Sequence, residues 1–238
     1  MATEGPAKLK HGKKKAHDYD AATDAAPSVD RWAAYVKKEY GDSDEATLKR
    51  AYAQIIVKEY AERYGEKIDG WWFDHAAFGD MDLLRSVCRE ANPQCVLTFN
   101  KGTLPSLANE NPGYEDYVCG HPNPCRMVPP SDAANLPMVL AAEESRGGFV
   151  YADDGDGVSR PSLCHLFMPM CETWCMGDEV VWTEEQAGEW MSRVLDAGGA
   201  WTWNVPADDA RSVLQENAVE FAAKVDLRLN KARVRRKE

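Results

Sequence analysis

The chain has 238 residues, 44% of them hydrophobic, and a formal net charge of −11. That length allows one large core, slightly short of the roughly 250 residues typical of a complete eightfold α/β barrel. The acidic balance argues against a nucleic-acid interface, and with no apolar run near the ~18 residues that span a membrane and no apolar h-region at the start, neither a membrane segment nor a secretory signal is legible.

The first 27 residues are polar and alanine-rich, with a strand remnant expected in Ala2 to Leu9. After Pro27, Ser28 offers an N-cap, and Val29, Trp32, Tyr35 and Val36 repeat at helical spacing until Gly41. Asp42 and Glu45 form a capping-box-like pair for a second helix, whose expected apolar stripe is Leu48, Tyr52, Ile55, Ile56 and Tyr60, closed by Gly65.

Residues 68 to 74 then read Ile-Asp-Gly-Trp-Trp-Phe-Asp. At strand period Ile68, Gly70, Trp72 and Asp74 share one face, and Asp69, Trp71 and Phe73 share the other. An apolar strand with a polar C-terminal tip is how a parallel α/β barrel delivers an acid to its active site. A helix through Met81, Leu84, Val87 and Cys88 follows, halted by Pro93, and Val96 to Asn100 is a second strand, also with a polar end. Strand, helix and strand in this order favour parallel pairing with a right-handed crossover.

From Gly102 to Pro137 the chain is rich in Gly, Pro and Asn, too long for a plain connector, and loops of this kind carry function or are disordered. Met138 to Ala142 is expected as a third strand ending at Glu143 and Glu144, with Phe149 to Ala152 a short extension. Thr183 and Gln186 make a capping box for a helix with Ala187, Trp190, Met191, Val194 and Leu195 inside, and Gly198-Gly199 stands past its end. Ala200 to Val205 is the last strand, and Leu214, Ala218, Phe221 and Val225 mark a closing helix. The organisation expected is a polar segment 1–27, a barrel domain 28–228 and a basic tail 229–238. Seven scattered cysteines read as thiols of a reducing compartment, since they form neither a C-x-x-C zinc pair nor a disulfide framework.

Asp74 leads the candidates for chemistry, its plainer role being the N-cap of the following helix. Trp71 and Trp72 beside it offer apolar faces to sugar C–H groups, or core packing. Glu143 and Glu144, adjacent at an expected strand tip, could raise each other's proton affinity as a general acid needs; the plainer reading is a solvated turn. Glu172 is the competing acid. His75 and His121 are candidates for the mouth of the site, and Trp203 and Asn204 for substrate contact, with Asn204 pointing opposite Trp201 and Trp203. Asp153, Asp154 and Asp156 miss the spacing of a calcium loop and read as an acidic turn.

Asp69-Gly70-Trp71-Trp72-Phe73-Asp74 resembles the nucleophile strand of the α-L-fucosidase family, glycoside hydrolase family 29, which reads roughly DG-x-W-F-D. Gly199-Ala200-Trp201-Thr202-Trp203-Asn204-Val205-Pro206 is similar in outline to its closing strand G-x-x-L-L-L-N-V-x-P, and Trp174 is the counterpart of a Trp-Gly-Tyr-like element. The likeness spans roughly residues 40 to 225. It implies a retaining glycosidase on a TIM-barrel-like (β/α) barrel: Asp74 attacks the anomeric carbon, and a glutamate protonates the leaving oxygen and later activates water. By chain order that glutamate is Glu143, whereas the Trp174 match places it nearer Glu172. The resemblance implies a carbohydrate substrate, with no metal or cofactor.

The chain departs from the family in having His75 where the family has glycine. It also lacks the His-His-containing strand and the first strand, Met1 beginning about where a third strand would be. The expectation is an incomplete barrel lacking its first strands, with an open edge through which the chain could self-associate. The alternatives are another retaining barrel glycosidase, α-galactosidase-like, or a catalytically inactive carbohydrate-binding fragment.

Overall fold

A computed structural model of the chain describes residues 2–4, 26–74, 80–100, 111–120, 136–171, 179–208 and 213–235. They fall into two units, Met1–Gly102 and Thr103–Glu238. The architecture is mixed α/β with small sheets.

In the first unit, helix α1 (Ala26–Tyr40) ends at Gly41, whose φ of 83° is a left-handed stop. The next N-cap is Asp44, not Asp42: its side chain accepts from the Thr47 backbone N–H at 2.8 Å. Helices α2 (Glu45–Ala51) and α3 (Lys58–Tyr64) are joined without a break by a π-helical stretch, Tyr52–Val57. The deeply buried positions are Ala51, Ala53, Val57 and Ala61, while the larger residues of the expected stripe are only half-buried. The wider π turn rotates the face that a uniform 3.6-residue period would bury.

Strands β1 (Ala2–Glu4), β2 (Gly70–Asp74) and β3 (Val96–Phe99) form a three-stranded parallel sheet in that order. The helix between β2 and β3, α4 (Met81–Ala91), is capped by Asp80, whose carboxylate accepts from the Leu83 N–H at 3.0 Å. Trp71 lies in register with Leu97, and Phe73 with Phe99. All four are at most 2% exposed, and Phe73 stacks on Trp71 and on Phe99 at centroid distances of 5.9 and 5.2 Å. This apolar face fixes the register, because a one-residue slip would turn Trp71 and Phe73 out of the core.

In the second unit, residues 136–143 are helix α5 (Leu136–Glu143), not the expected strand. A short apolar run fits a buried helix as well as a strand, and here Pro137 in the first turn and the burial of Met138, Val139 and Ala142 suit the helix. Glu143 and Glu144 therefore close a helix instead of tipping a strand.

Strands β4 (Phe149–Asp153) and β5 (Ser159–Leu163) make an antiparallel hairpin. Its turn consumes the acidic run: Asp153 accepts from the N–H groups of Gly155 and Gly157, Asp154 from those of Asp156 and Val158, and Arg160 binds Asp154 at 2.7 Å. Sequence periodicity gave no sign of β5 or of β6 (His165–Pro169). β6 pairs in parallel with β7 (Ala200–Asn204) through α6 (Glu184–Asp196), whose Thr183–Gln186 capping box is present as expected.

Val118 N–H donates to Leu163 O at 3.0 Å and Phe167 N–H to Gly120 O at 2.9 Å, so 117–120 extend this parallel ladder from within the long loop. A Cβ on Gly120, with φ of 65°, would collide with the His165 carbonyl; only glycine permits so close an approach. A two-stranded hairpin, β8 (Ala207–Asp208) and β9 (Val213–Leu214), precedes α7 (Glu216–Arg235). α7 continues helical through residues expected as tail. Leu166, Met168 and Met170 pack with Trp182, Trp190, Val194, Phe221 and Val225 into the core of this unit.

Candidate active site

Alternation along β2 sorts the candidates. Trp71 and Phe73 enter the core, while Trp72 and Asp74 are half-buried on the opposite face. Trp71 is therefore a framework residue and Trp72 the aromatic that shares a face with Asp74. Asp74 does not cap α4, a task that falls to Asp80. Its Oδ1 instead accepts a 2.7 Å bond from Asn100 Nδ2, and the Asn100 N–H donates to Phe73 O at 2.9 Å. Asn100 is 4% exposed, so a buried amide stands against a half-buried carboxylate at the C-terminal edge of a parallel sheet. Reading Val96 to Asn100 as a strand with a polar end was the signal that could have added Asn100 to the candidates.

The second unit has its own C-terminal edge. Asn204 ends β7, in register with Pro169, and its carbonyl accepts from Met170 N–H at 3.2 Å. Gly120 O accepts from Phe167 N–H, two residues before Pro169, and Cys171 follows Met170 at this edge. His121 and Glu172 follow Gly120 and Cys171 directly in sequence. Both lie outside the described residues, as do His75 and Trp174. Trp203 is on the face of β7 opposite Asn204 and packs on Trp182, Trp201 and Phe221 at centroid distances of 5.4, 5.1 and 6.1 Å. It is partly buried and packs against the core of this unit.

Glu143 is engaged elsewhere. Both its oxygens accept from Arg193 of α6, at 2.7 and 2.8 Å, and this pairing holds its carboxyl below the usual glutamate range. A proton donor needs the opposite shift. Glu144 is exposed at the end of α5. The depression of about 400 Å³ lined by Glu185, Glu189, Arg193, Asp196 and Arg228 lies between α6 and α7.

A buried titratable group carries no local sequence signal. His165, 6% exposed, bridges the ladder: Nδ1 donates to Val118 O at 3.1 Å, which leaves Nε2 of the neutral ring to accept from the Thr202 hydroxyl at 2.9 Å. Burial holds its pKa below the ordinary histidine value. It starts β6, at the end opposite Asn204, and serves the sheet's framework. Among the described residues no group of three or more His, Cys, Asp or Glu could hold a metal, and no helix is long and apolar enough to cross a membrane.

No family model and no curated protein sequence matches the chain. Solved structures do. The endo-fucoidan hydrolase MfFcnA4 from glycoside hydrolase family 107 superposes on 87% of this chain with a TM-score of 0.68 at 23% identity. The endo-fucoidan hydrolase P5AFcnA of the same family superposes on 87% with a TM-score of 0.63 at 18% identity. The α-L-fucosidase AlfC from Lactobacillus casei matches 74% of the chain with a TM-score of only 0.47 at 16% identity, too loose a likeness to carry weight. The chain spans 36% of the MfFcnA4 chain and 61% of the P5AFcnA chain. The fold is thus similar to that of family 107 structures, where the sequence motifs pointed to family 29.

Proposed function

We propose that the chain carries the nucleophile half of a retaining glycosidase acting on α-L-fucosides, on a TIM-barrel-like (β/α) scaffold. The observation that carries this reading is the position of Asp74: last side chain on its face of a parallel strand, bonded to an amide, and not spent on the helix cap. That is where barrel enzymes keep their reacting groups. The DG-x-W-F-D resemblance and the fucoidan-hydrolase names of the structural neighbours support fucose as the sugar.

In the proposed reaction an Asp74 oxygen attacks the anomeric carbon and the bond to the leaving oxygen breaks. A carboxylic acid delivers its proton to that oxygen, giving a glycosyl-enzyme. The same group, now a carboxylate, takes a proton from water, whose oxygen displaces Asp74 and releases the sugar. Trp72 supplies an apolar wall beside the carbon that gains positive charge. For the acid we favour Glu172 over Glu143, whose carboxyl the Arg193 pairing holds below the usual glutamate range, and over exposed Glu144. His121 and Asn204 are proposed as sugar hydroxyl partners.

A screen of nitrophenyl glycosides and fucose-containing polysaccharide tests this. Wild type is expected to release fucose or fucose oligomers, Asp74→Asn to lose turnover by at least about a thousandfold, and azide to rescue Glu172→Gln but leave Glu143→Gln unaffected because that variant is near wild type. Product size separates terminal from internal cleavage. Absence of hydrolysis by the folded protein, with sugar affinity kept in both wild type and Asp74→Asn, would make the chain a binding module instead.

A further inference from the structure

The side chain at the end of the strand beside β2 has a task of its own. We propose that Asn100 is a positioning residue for Asp74, holding the carboxylate in the orientation from which it attacks; the proposal rests on the glycosidase reading and extends it by one residue.

Phe73 and Phe99 are the last rung of the β2–β3 ladder, so Asp74 and Asn100 are the next positions along the two strands. The Asn100 N–H donates to Phe73 O at 2.9 Å, which fixes its main chain to the residue immediately before Asp74. From that anchor Nδ2 reaches Asp74 Oδ1 at 2.7 Å, the length of a charge-assisted bond. The partner oxygen of an ionised carboxylate only accepts, so the Asn100 NH₂ group is the one that faces it. Asn100 is 4% exposed whereas Asp74 is half-buried, so the amide is held by packing and the carboxylate is held by the amide.

Attack at carbon needs reacting atoms about 3 to 3.5 Å apart with aligned orbitals, and rotation of an untethered carboxylate about its terminal bond would sample many other orientations. A fixed donor on one oxygen removes that freedom before the sugar arrives. A purely structural Asn100 would tie two strand ends together, and its loss would lower the amount of folded enzyme without changing the turnover of what remains.

Asn100→Ala and the isosteric Asn100→Asp, in the full chain, separate the two roles, with thermal melting to confirm folding and active-site titration by an inactivating fluorofucoside to count competent enzyme. Positioning predicts that kcat per competent site falls by about a hundredfold while KM stays within about twofold, and that Asn100→Asp, which replaces the donor by a second carboxylate, is at least as slow as Asn100→Ala. Two folded variants with kcat within about threefold of wild type would overturn it, as would loss of the folded state in both, which would assign Asn100 to the framework. If Asp74→Asn abolishes turnover and the Asn100 variants do not change it, only this proposal fails. If wild type hydrolyses nothing, the glycosidase reading fails and this one with it.

Discussion

Single side chains here divide by which way a strand turns them. Trp71 and Trp72 are adjacent and chemically equal, yet one is 1% exposed in the core and the other half-buried beside Asp74. His165 illustrates a buried polar group satisfied at both ring nitrogens, at the cost of staying neutral. Its folded pKa is depressed by burial, so the unfolded chain binds the proton more readily. The stability that His165 contributes is therefore complete above the ordinary histidine value of about 6.5 and is lost as pH falls through the lower folded pKa. The neighbouring Tyr117, edge-on to the imidazole at 5.4 Å, has its own pKa raised by burial and stays neutral across that window. Urea denaturation of wild type between about pH 7.5 and pH 5 should show stability declining on the acid side, with a shallower decline in His165→Gln. Identical slopes would show that the ring proton is not coupled to folding.

Elements were legible where local pattern and tertiary demand agree. β2, β3 and β7 declared themselves by period-two alternation or a polar tip, and α6 by its capping box; none needed knowledge of a distant partner. α5 is helical where a strand is expected because eight mostly apolar residues carry no period that separates the two. β6 stayed hidden because Leu166, Phe167 and Met168 form a continuous apolar run without alternation, which periodicity alone does not separate from a buried helix segment. The 117–120 ladder depends on Gly120 meeting His165 across 45 residues of chain, which no local window contains. Of the candidate site, Asp74 was readable from its strand, whereas its amide partner required the β2–β3 register. The α6 cap gives an element-scale test. Thr183 Oγ1 accepts from the Gln186 N–H at 3.2 Å and Gln186 returns a bond to the Thr183 N–H at 3.2 Å. Thr183→Ala should cost about 1 kcal/mol in denaturant unfolding, and Thr183→Ser far less; equal losses would mean that the cap is not what anchors the helix.

At the scale of the molecule, charge bears on which ligands can approach. A net charge of −11 surrounds any binding site with a field that repels anions over a Debye length. That length shrinks from about 30 Å at 0.01 M salt to about 10 Å at 0.1 M. If the chain turns over fucosides, kcat/KM for an anionic oligosaccharide should rise across that range as repulsion is screened, while kcat/KM for a neutral fucoside of equal length should stay level. The sign discriminates between two electrostatic designs. A rate for the anionic substrate that falls with salt would mean that local cations at the site outweigh the global field, and the acidic surface would then have no part in choosing the substrate. The comparison within one enzyme matters, because salt also changes stability, and a stability effect would move both substrates together.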